Sequence, residues 1–366
     1  MLAEQSRAEQ PYYLLTDEVS ERINILKLWL SIMVVFIHSS NAELHFAGRD
    51  VVLDVPAWLS TFKFIVLSIS SCAVPGFFFM AAIFLYRKPF SWKANVQKKV
   101  HTLVIPYFIL NSFWIAFYFC LQHIPSLSPF FSKPENIVAN WGLLRWIGAY
   151  FSNGHLIVVP TWFMRDLFVL NIFAVLIMKI LDMFPKISTA VLLLTWLCFH
   201  GEIYKSSSYE LAAICFFGLG CLFIRQNFKL EMFDKILAPI HWSVYLILLI
   251  ANVLTRELPL NMFIGRINVL YGIIFWYSCA TSFQKGKLKN FLLGFAAFNF
   301  SIYIFHDNML SCVRKVFVRV FPVTPAFQLL LYVFVPILII IYCVTLSVLL
   351  KKYLPRFYAL VTGNRG

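Results

Sequence analysis

Two ionisable residues, Lys27 and His38, stand inside the first long apolar stretch of the chain. This stretch reads Arg-Ile-Asn-Ile-Leu-Lys-Leu-Trp-Leu-Ser-Ile-Met-Val-Val-Phe-Ile-His-Ser-Ser over residues 22–40. In an α-helix, their spacing amounts to three turns plus roughly 20°, so both side chains point to one side, about 16 Å apart along the axis. Asn24 and Ser31 fall on the same face. Because ionisable groups are costly in lipid and usually face a protein interior or a wet cavity, this face predicts a site.

Simpler interpretations exist for each residue alone. Lys27 could snorkel to the membrane interface, and His38 could cap the far end of the helix. Neither explains why the two residues share one polar face.

Two later apolar stretches also hold ionisable residues. Their sequences are Pro-Thr-Trp-Phe-Met-Arg-Asp-Leu and Ser-Ile-Tyr-Ile-Phe-His-Asp-Asn, and they contribute Trp162, Arg165, Asp166, Tyr303, His306, Asp307 and Asn308. Taken singly, these could be structural ion pairs, or histidines that bond backbone carbonyls. Three helices that bring such residues to a similar depth favour a functional site instead.

A basic cluster, Lys98, Lys99 and His101, precedes the apolar segment that begins Thr-Leu-Val-Ile-Pro-Tyr. Such a cluster can simply mark a cytoplasmic helix end. Alternatively, it can dock the phosphates of an anionic cytoplasmic ligand.

Composition places the chain among polytopic membrane proteins. Of its 366 residues, 60% are hydrophobic and 13% charged, and the mean hydropathy is +0.77. The formal charge of +14 does not indicate a nucleic-acid partner, because the basic residues lie in short loops between apolar segments. The eight cysteines lie scattered in apolar segments without C-x-x-C spacing, so the sequence indicates no metal site and no disulfide framework.

The predicted fold is an all-α polytopic membrane protein of about ten transmembrane helices around a polar central pore. Residues 1–22 form a predicted cytoplasmic tail, 23–351 a single transmembrane domain and 352–366 a second cytoplasmic tail. The tail lacks the features of a signal peptide, so we expect the first helix to be retained. Nine further spans follow that helix. We place them at about 59–86, 102–121, 161–181, 188–203, 208–224, 236–254, 261–282, 292–312 and 326–350.

Charge bias predicts that both termini are cytoplasmic. In this orientation the cytoplasmic segments hold well over half of the 31 lysines and arginines. The cluster Arg314, Lys315 and Arg319 opposes the bias, since it is expected outside. The longest loop, Gln122 to Pro160, is also expected outside, and its many aromatic residues suit either an interfacial helix or a sugar-binding lip.

These motifs together resemble the acyltransferase 3 family, integral membrane O-acyltransferases that acylate bacterial surface carbohydrates. Lys27 and His38 fit its first-helix motif of a basic residue, ten residues and a histidine. Pro-Gly-Phe-Phe-Phe-Met-Ala-Ala-Ile-Phe-Leu-Tyr at 75–86 is similar to its second-span motif, although Ala81-Ala82 stand where Ser-Gly is usual. The segment from Lys98 to Tyr107 is similar to its basic approach to span three. Trp-Phe-Met-Arg-Asp-Leu-Phe-Val and Ser-Ile-Tyr-Ile-Phe-His match later blocks.

The resemblance implies transfer of an acyl group, most simply acetyl, from cytoplasmic acyl-CoA to a hydroxyl of an extracytoplasmic or lipid-linked glycan. The ordinary pKa of histidine, about 6.5, suits His38 as general base; a transient acyl-His38 is also open. Lys27 would hold the pantetheine or phosphate end of the donor, and the basic cluster its nucleotide. The remaining residues would orient His38 and the acceptor: Arg165, Asp166, His306, Asp307, Trp162, Tyr303 and Asn308.

No permanently bound cofactor is expected, and the implied location is a bacterial inner membrane. The leading alternative is a carrier or flippase for a glycan or a proton-coupled solute, in which the same charges would line a permeation path. The sequence has no repeated halves, which disfavours it. A purely structural membrane subunit would leave the shared face of Lys27 and His38 unexplained.

Overall fold

The protein is almost entirely helical. The computed structural model describes residues 13–40, 43–46, 49–52, 54–152, 155–198 and 206–364, and 83% of it is helical. The α-helices are α1 (Asp17–Ser39), α2 (Ala57–Ser70), α3 (Ala73–Tyr86), α4 (Trp92–Lys99), α5 (Ile105–Gln122), α6 (Leu143–Phe151), α7 (Trp162–Ile172), α8 (Ala174–Met183), α9 (Pro185–Cys198), α10 (Ser206–Arg225), α11 (Ala238–Leu254), α12 (Asn261–Ala280), α13 (Gly286–Ala296), α14 (Asn299–Val320), α15 (Pro325–Tyr353) and α16 (Pro355–Thr362). A small antiparallel hairpin that the sequence did not predict, β1 (Glu43–Phe46) and β2 (Arg49–Val52), follows α1.

Five segments of the described chain are long and apolar enough to cross a membrane. They are Asp17–Ser39, Ala57–Tyr86, Trp92–Gln122, Asn261–Phe283 and Pro325–Tyr353. The pair α13 and α14, bent by 61°, is a sixth candidate, and α9 and α11 are shorter apolar helices. The protein is therefore an integral membrane protein with five or six candidate spans by length and composition, and the predicted number of ten is not confirmed.

Several predicted boundaries differ from the structure. Predicted span 161–181 is divided into α7 and α8 at Phe173, and the end of predicted span 188–203 lies outside the described residues. The expected outer cluster of Arg314, Lys315 and Arg319 does not lie in a loop, because α14 continues to Val320. The predicted tails also contain helix, since α1 begins at Asp17 and α16 follows residue 352.

Helix α1 lies at the centre of the bundle. It contacts α2, α3, α12, α13, α14 and α15. Its first turn is capped by Thr16, whose hydroxyl accepts the Val19 N–H at 3.2 Å, and Asp17 and Glu18 favour the positive end of the helix dipole. A helix surrounded in this way can keep a polar face only where neighbouring helices supply partners or a cavity.

The beginning of α1 is fixed by a buried arginine. Arg22 is 3% exposed and donates to both carboxylate oxygens of Asp234, at 2.7 and 2.8 Å, and to Gln284 Oε1 at 3.0 Å. Nη1 makes both bonds to Asp234 while Nε bonds Gln284, so two partners hold the guanidinium in one orientation. The contact joins α1 to the segment before α11 and to the turn after α12.

Helices α3 and α10 pack closely because of one glycine. A Cβ at Gly220 would lie 2.5 Å from the Phe79 carbonyl oxygen, a distance that no side chain tolerates. The backbones can therefore approach only with glycine there. This contact places α10 behind α3, on the core that supports α1.

Helix α4 continues into α5 through a π-helical segment, Val100–Val104. The short helix α16 packs on α5 and ends at Gly363, whose φ is +63°. A Cβ at Gly363 would lie 2.6 Å from Thr102 Cα, so the backbone after α16 lies directly against the π-helical segment. Glycine alone satisfies both the left-handed backbone and this approach.

Candidate active site

His38, His306 and Asp307 come together, and we call them the histidine cluster. His38 lies in the last turn of α1, and the other two lie in the third turn of α14. His38 Nδ1 is 3.3 Å from Asp307 Oδ1, and the two imidazole centroids are 5.1 Å apart. The sequence-based expectation that α1 and α14 meet at these residues agrees with this geometry.

Hydrogen bonds define the tautomer of His306. Its Nδ1 lies 3.0 Å from the carbonyl oxygen of Ile302 and 2.8 Å from that of Tyr303. A carbonyl oxygen only accepts, so Nδ1 carries the hydrogen and Nε2 presents its lone pair. The side chain is fully buried, and Nε2 has no hydrogen-bond partner within the described chain. A buried acceptor without a hydrogen-bond partner costs free energy. Such an acceptor is typical of a group that contacts a ligand.

His38 is oriented in the same manner. Because the Asp307 carboxylate accepts hydrogen bonds, the neutral His38 ring carries its hydrogen on Nδ1 and leaves Nε2 able to accept a proton. A carboxylate that holds one ring nitrogen and stabilises the imidazolium is the arrangement of histidine general bases. Both side chains remain partly accessible, at 19% and 17%, so a substrate can reach them.

The three residues of the histidine cluster also have donor atoms that could hold a metal ion. One ligand atom from each residue lies within 4.8 Å of the others. Metal–ligand bonds of about 2.1 Å in a tetrahedral site would give separations of about 3.4 Å. The sequence-based expectation of no metal therefore stays a prediction.

The short 3-10 segment Val159–Thr161 is a shared support for the cluster. Its Pro160 carbonyl accepts the Tyr303 hydroxyl, and the Val159 backbone faces the Asp307 carboxylate. Thr161 Oγ1 accepts from Asn111 Nδ2 on α5 at 3.1 Å. Contacts from α5 and α14 thus meet at this segment, which leads directly into α7.

Arg165 and Asp166 form a pair directly after this segment. The guanidinium donates to Asp166 Oδ1 at 2.6 and 2.9 Å and to the Phe151 carbonyl at 2.9 Å. The pair thereby links α7 to the end of α6. Asp166 Oδ2 is buried without a partner in the described residues. No contact between this pair and His38 is described, so its predicted orienting role stays a prediction.

The remaining residues predicted to bind the acceptor substrate, Trp162, Tyr303 and Asn308, contact aromatic side chains of other residues in the bundle. Trp162 is buried with its ring 6.0 Å from that of Phe78, and the Tyr303 ring is 5.7 Å from that of Phe163. Asn308 Oδ1 accepts from the Tyr118 hydroxyl at 3.4 Å.

Sequence reasoning missed the polar face of α5. Tyr107, Asn111 and Tyr118 are buried and bond, respectively, to the Tyr150 carbonyl, Thr161 and Asn308. Their spacing of four and seven residues puts them on one helix face, and that periodicity was the signal.

Lys27 lies near the middle of α1, about three turns before His38. The Lys27 ammonium sits 4.2 Å from the centroid of the Phe84 ring, a cation–π contact. Lys98 and Lys99 end α4, and His101 lies in the π-helical segment; Lys98 and His101 are exposed. π-Helical turns are frequent at functional sites. Trp92 Nε1 and Asn95 Nδ2 tie α4 to α7 through hydrogen bonds of 2.7 and 3.0 Å.

The loop from Gln122 to Pro160 contains the helix α6. Within this nine-residue helix, Leu143, Leu144 and Ile147 are exposed, whereas Gly148 and Ala149 are buried. An exposed apolar face of this kind suits a helix lying at a membrane interface.

The fold and the site define a helical membrane protein with a histidine–aspartate pair inside its bundle. The family model for the acyltransferase 3 domain, described as an acyltransferase domain, matches residues 20–350. The chain therefore belongs to the acyltransferase 3 family, and it is a membrane acyltransferase. No curated protein and no solved structure matched the chain.

Proposed function

We propose that the protein transfers an acetyl group from cytoplasmic acetyl-CoA to a hydroxyl of an extracytoplasmic or lipid-linked glycan. The observation that carries this proposal is the 3.3 Å contact between His38 Nδ1 and Asp307 Oδ1. It provides a general base inside the bundle, where hydroxyl acyl transfer needs one.

In the proposed reaction, His38 Nε2 takes the proton of the acceptor hydroxyl while that oxygen attacks the thioester carbonyl. The new ester bond forms as the carbon–sulfur bond breaks, and the leaving CoA thiolate takes the proton that His38 Nε2 accepted, which restores the neutral imidazole. Asp307 stabilises the imidazolium in the meantime. Arg165 is our candidate for the cation that stabilises the oxyanion of the transition state. A preorganised cation beside that oxyanion lowers the activation free energy most when water is excluded.

The donor would approach from the opposite end of α1. Lys27 would contact its pantetheine or phosphate portion, and Lys98, Lys99 and His101 its nucleotide phosphates. The 16 Å rise that we estimate from Lys27 to His38 is close to the length of a pantetheine arm. Acetyl-CoA is a substrate in this scheme, and no permanently bound cofactor is invoked.

We further propose ten spans with both termini cytoplasmic, in a bacterial inner membrane. Single cysteines at Lys98 and Lys287 should react only with permeant reagents in whole cells, whereas one at Asn140 should react with impermeant ones. Labelling of position 140 from the cytoplasmic side alone would contradict the orientation.

The activity itself can be tested with the purified protein in nanodiscs. Acetyl-CoA labelled in the acetyl group is supplied with cell-envelope glycans, and acetyl incorporation is followed by mass spectrometry. We expect a mass increment of one acetyl group, lost in His38→Ala and retained in His123→Ala. A carrier or flippase would move glycan without any increment, and that result would overturn the proposal.

A further inference from the structure

Two buried cations lie close together on a face of the bundle that the proposed reaction does not use. Lys63 in α2 is 9% exposed, and Arg314 in α14 is 5% exposed. The two charges are near enough to repel each other. Bringing like charges together inside a membrane bundle is expensive, so such a pair normally serves an anion or a path.

The partners of Lys63 sharpen this interpretation. The Lys63 ammonium lies 5.5 Å from the centroid of the Tyr332 ring, and the Arg314 guanidinium is near enough to repel its charge. Tyr332 is 2% exposed, and its hydroxyl has no hydrogen-bond partner among the described residues. A lysine, an arginine and a buried hydroxyl donor are the groups that bind phosphate or carboxylate oxygens.

One turn before Tyr332, Gln328 is 3% exposed and donates from Nε2 to the Asp54 carbonyl at 2.7 Å. Its Oε1 atom is buried without a partner in the described chain. This oxygen can accept a hydrogen bond from a hydroxyl, as a sugar would offer next to its anionic group.

The same face adjoins the histidine cluster. Tyr332 packs against the last turns of α1: its carbonyl accepts from Ser39 Oγ at 3.4 Å, and its ring centroid is 6.2 Å from that of Phe36. Arg314 follows His306 by eight residues, about 12 Å along α14. A molecule that presents a hydroxyl to His38 can therefore reach both cations.

From this geometry we propose that Lys63, Arg314 and the Tyr332 hydroxyl bind an oxyanion group of the acceptor, a phosphate or a carboxylate. The inference rests on the proposed function, because it names the class of acceptor as an acidic glycan. The burial of both cations favours an acceptor group over a phospholipid headgroup, which would stay at the bundle surface.

The experiment compares octyl glucuronide with octyl glucoside, two probes that differ only at C6, which is a carboxylate in the first and a hydroxymethyl group in the second. Binding to the full chain in phosphatidylcholine nanodiscs is measured by thermophoresis, without any donor. We expect the glucuronide to bind more tightly, and Lys63→Gln or Arg314→Gln to weaken it by roughly 10- to 150-fold. Glucoside binding should change by less than about threefold, in the range of ordinary surface substitutions.

Conservative variants separate binding from folding. Lys63→Arg keeps the charge and should keep the preference, and Tyr332→Phe should lower it by about two- to tenfold. Arg319→Gln on the same helix removes an exposed charge and should leave both probes unaffected. Equal affinity for the two probes in the unaltered protein would overturn the proposal.

Two further outcomes are decisive. In the first, native mass spectrometry shows that the unaltered protein retains phosphatidylglycerol, that Lys63→Gln does not, and the unaltered protein shows no preference for the glucuronide. This outcome would assign the site to a lipid headgroup and overturn the acceptor site. Acetyl transfer to acidic and neutral glycans alike, unchanged in Lys63→Gln, would also overturn it while leaving the acyltransferase proposal intact. Glucuronide binding without acetyl transfer would instead support the site and contradict only the reaction.

Discussion

The histidine cluster and the basic cluster differ in how firmly the protein holds them. His38, His306 and Asp307 are fixed by side-chain and backbone contacts from two helices and the Val159–Thr161 segment. Lys98 and His101 are exposed, on the continuous helical stretch that runs from α4 through the π-helical segment. A site held by several contacts can keep reacting atoms in one geometry, whereas exposed charges can only attract. The difference is consistent with our proposal of chemistry at the histidine cluster and of ligand capture at the basic cluster.

The sharpest test of the comparison is removal of the base. His38→Ala should lower kcat by roughly 10²- to 10⁴-fold, because a general base contributes about that much. Steady-state kinetics with each substrate varied in turn would measure it. His101→Ala removes a histidine from the other cluster and should leave kcat nearly unchanged. Comparable losses of kcat in both variants would break the distinction.

The next effect concerns Lys27, which lies between the two clusters. Lys27→Gln should raise the apparent KM for acetyl-CoA by roughly 10- to 150-fold, since a charged hydrogen bond is worth about 1.5–3 kcal/mol. Lys27→Arg keeps the charge above Phe84 and should retain most affinity. Direct CoA binding to each variant checks the assignment, and unaltered binding in Lys27→Gln would make this lysine a packing residue.

Asp307 offers a finer comparison within the histidine cluster. Asp307→Asn keeps the size of the side chain but removes the charge that orients His38. We expect kcat to fall by roughly 10- to 100-fold, the usual loss when a supporting partner is removed. Thermal unfolding should be followed in parallel. A loss of activity that matches a loss of folded protein would show that Asp307 acts only through packing.

The smallest effect is expected at the exposed end. Lys98→Gln should raise the donor KM by less than about fivefold, because exposed ion pairs are worth at most about 1 kcal/mol. The effect should shrink further as salt is raised from 0.05 to about 0.5 M, since screening acts on exposed charges. A larger, salt-independent effect would place Lys98 in a closed pocket and remove the contrast with the histidine cluster.

The sequence predicted the parts of the site whose signal lies in side-chain type and helical spacing. Lys27 and His38 were found by their shared face, and His306 and Asp307 by their depth in a later apolar stretch. The contacts that the Val159 and Pro160 backbone makes with Asp307 and Tyr303 could not be predicted, because every residue type has the same backbone groups. The burial of Arg314 was also missed, since its helix continues beyond the apolar run that marked its end.

Helix boundaries show the same limit. The division between α7 and α8 at Phe173 falls in an apolar stretch without glycine or proline, two residues after Asn171. The 61° bend between α13 and α14 follows Ala296, with Gly294 in the last turn of α13. Such breaks arise from tertiary packing, which overrides the helix propensity of the local sequence. A hydropathy pattern therefore predicts one span where the structure has two helices.

The contact between Gly363 and Thr102 sets an order in which the protein can be completed. The chain is synthesised from its N-terminus, so α16 emerges roughly 250 residues after the segment that it covers. Until then the π-helical segment that contains His101 lacks its contact with the end of α16. Tyr358 of α16 also bonds Ser301 near the start of α14, with 3.0 Å between the two hydroxyl oxygens, so the helix that carries His306 and Asp307 gains this contact only when the end of the chain has been made.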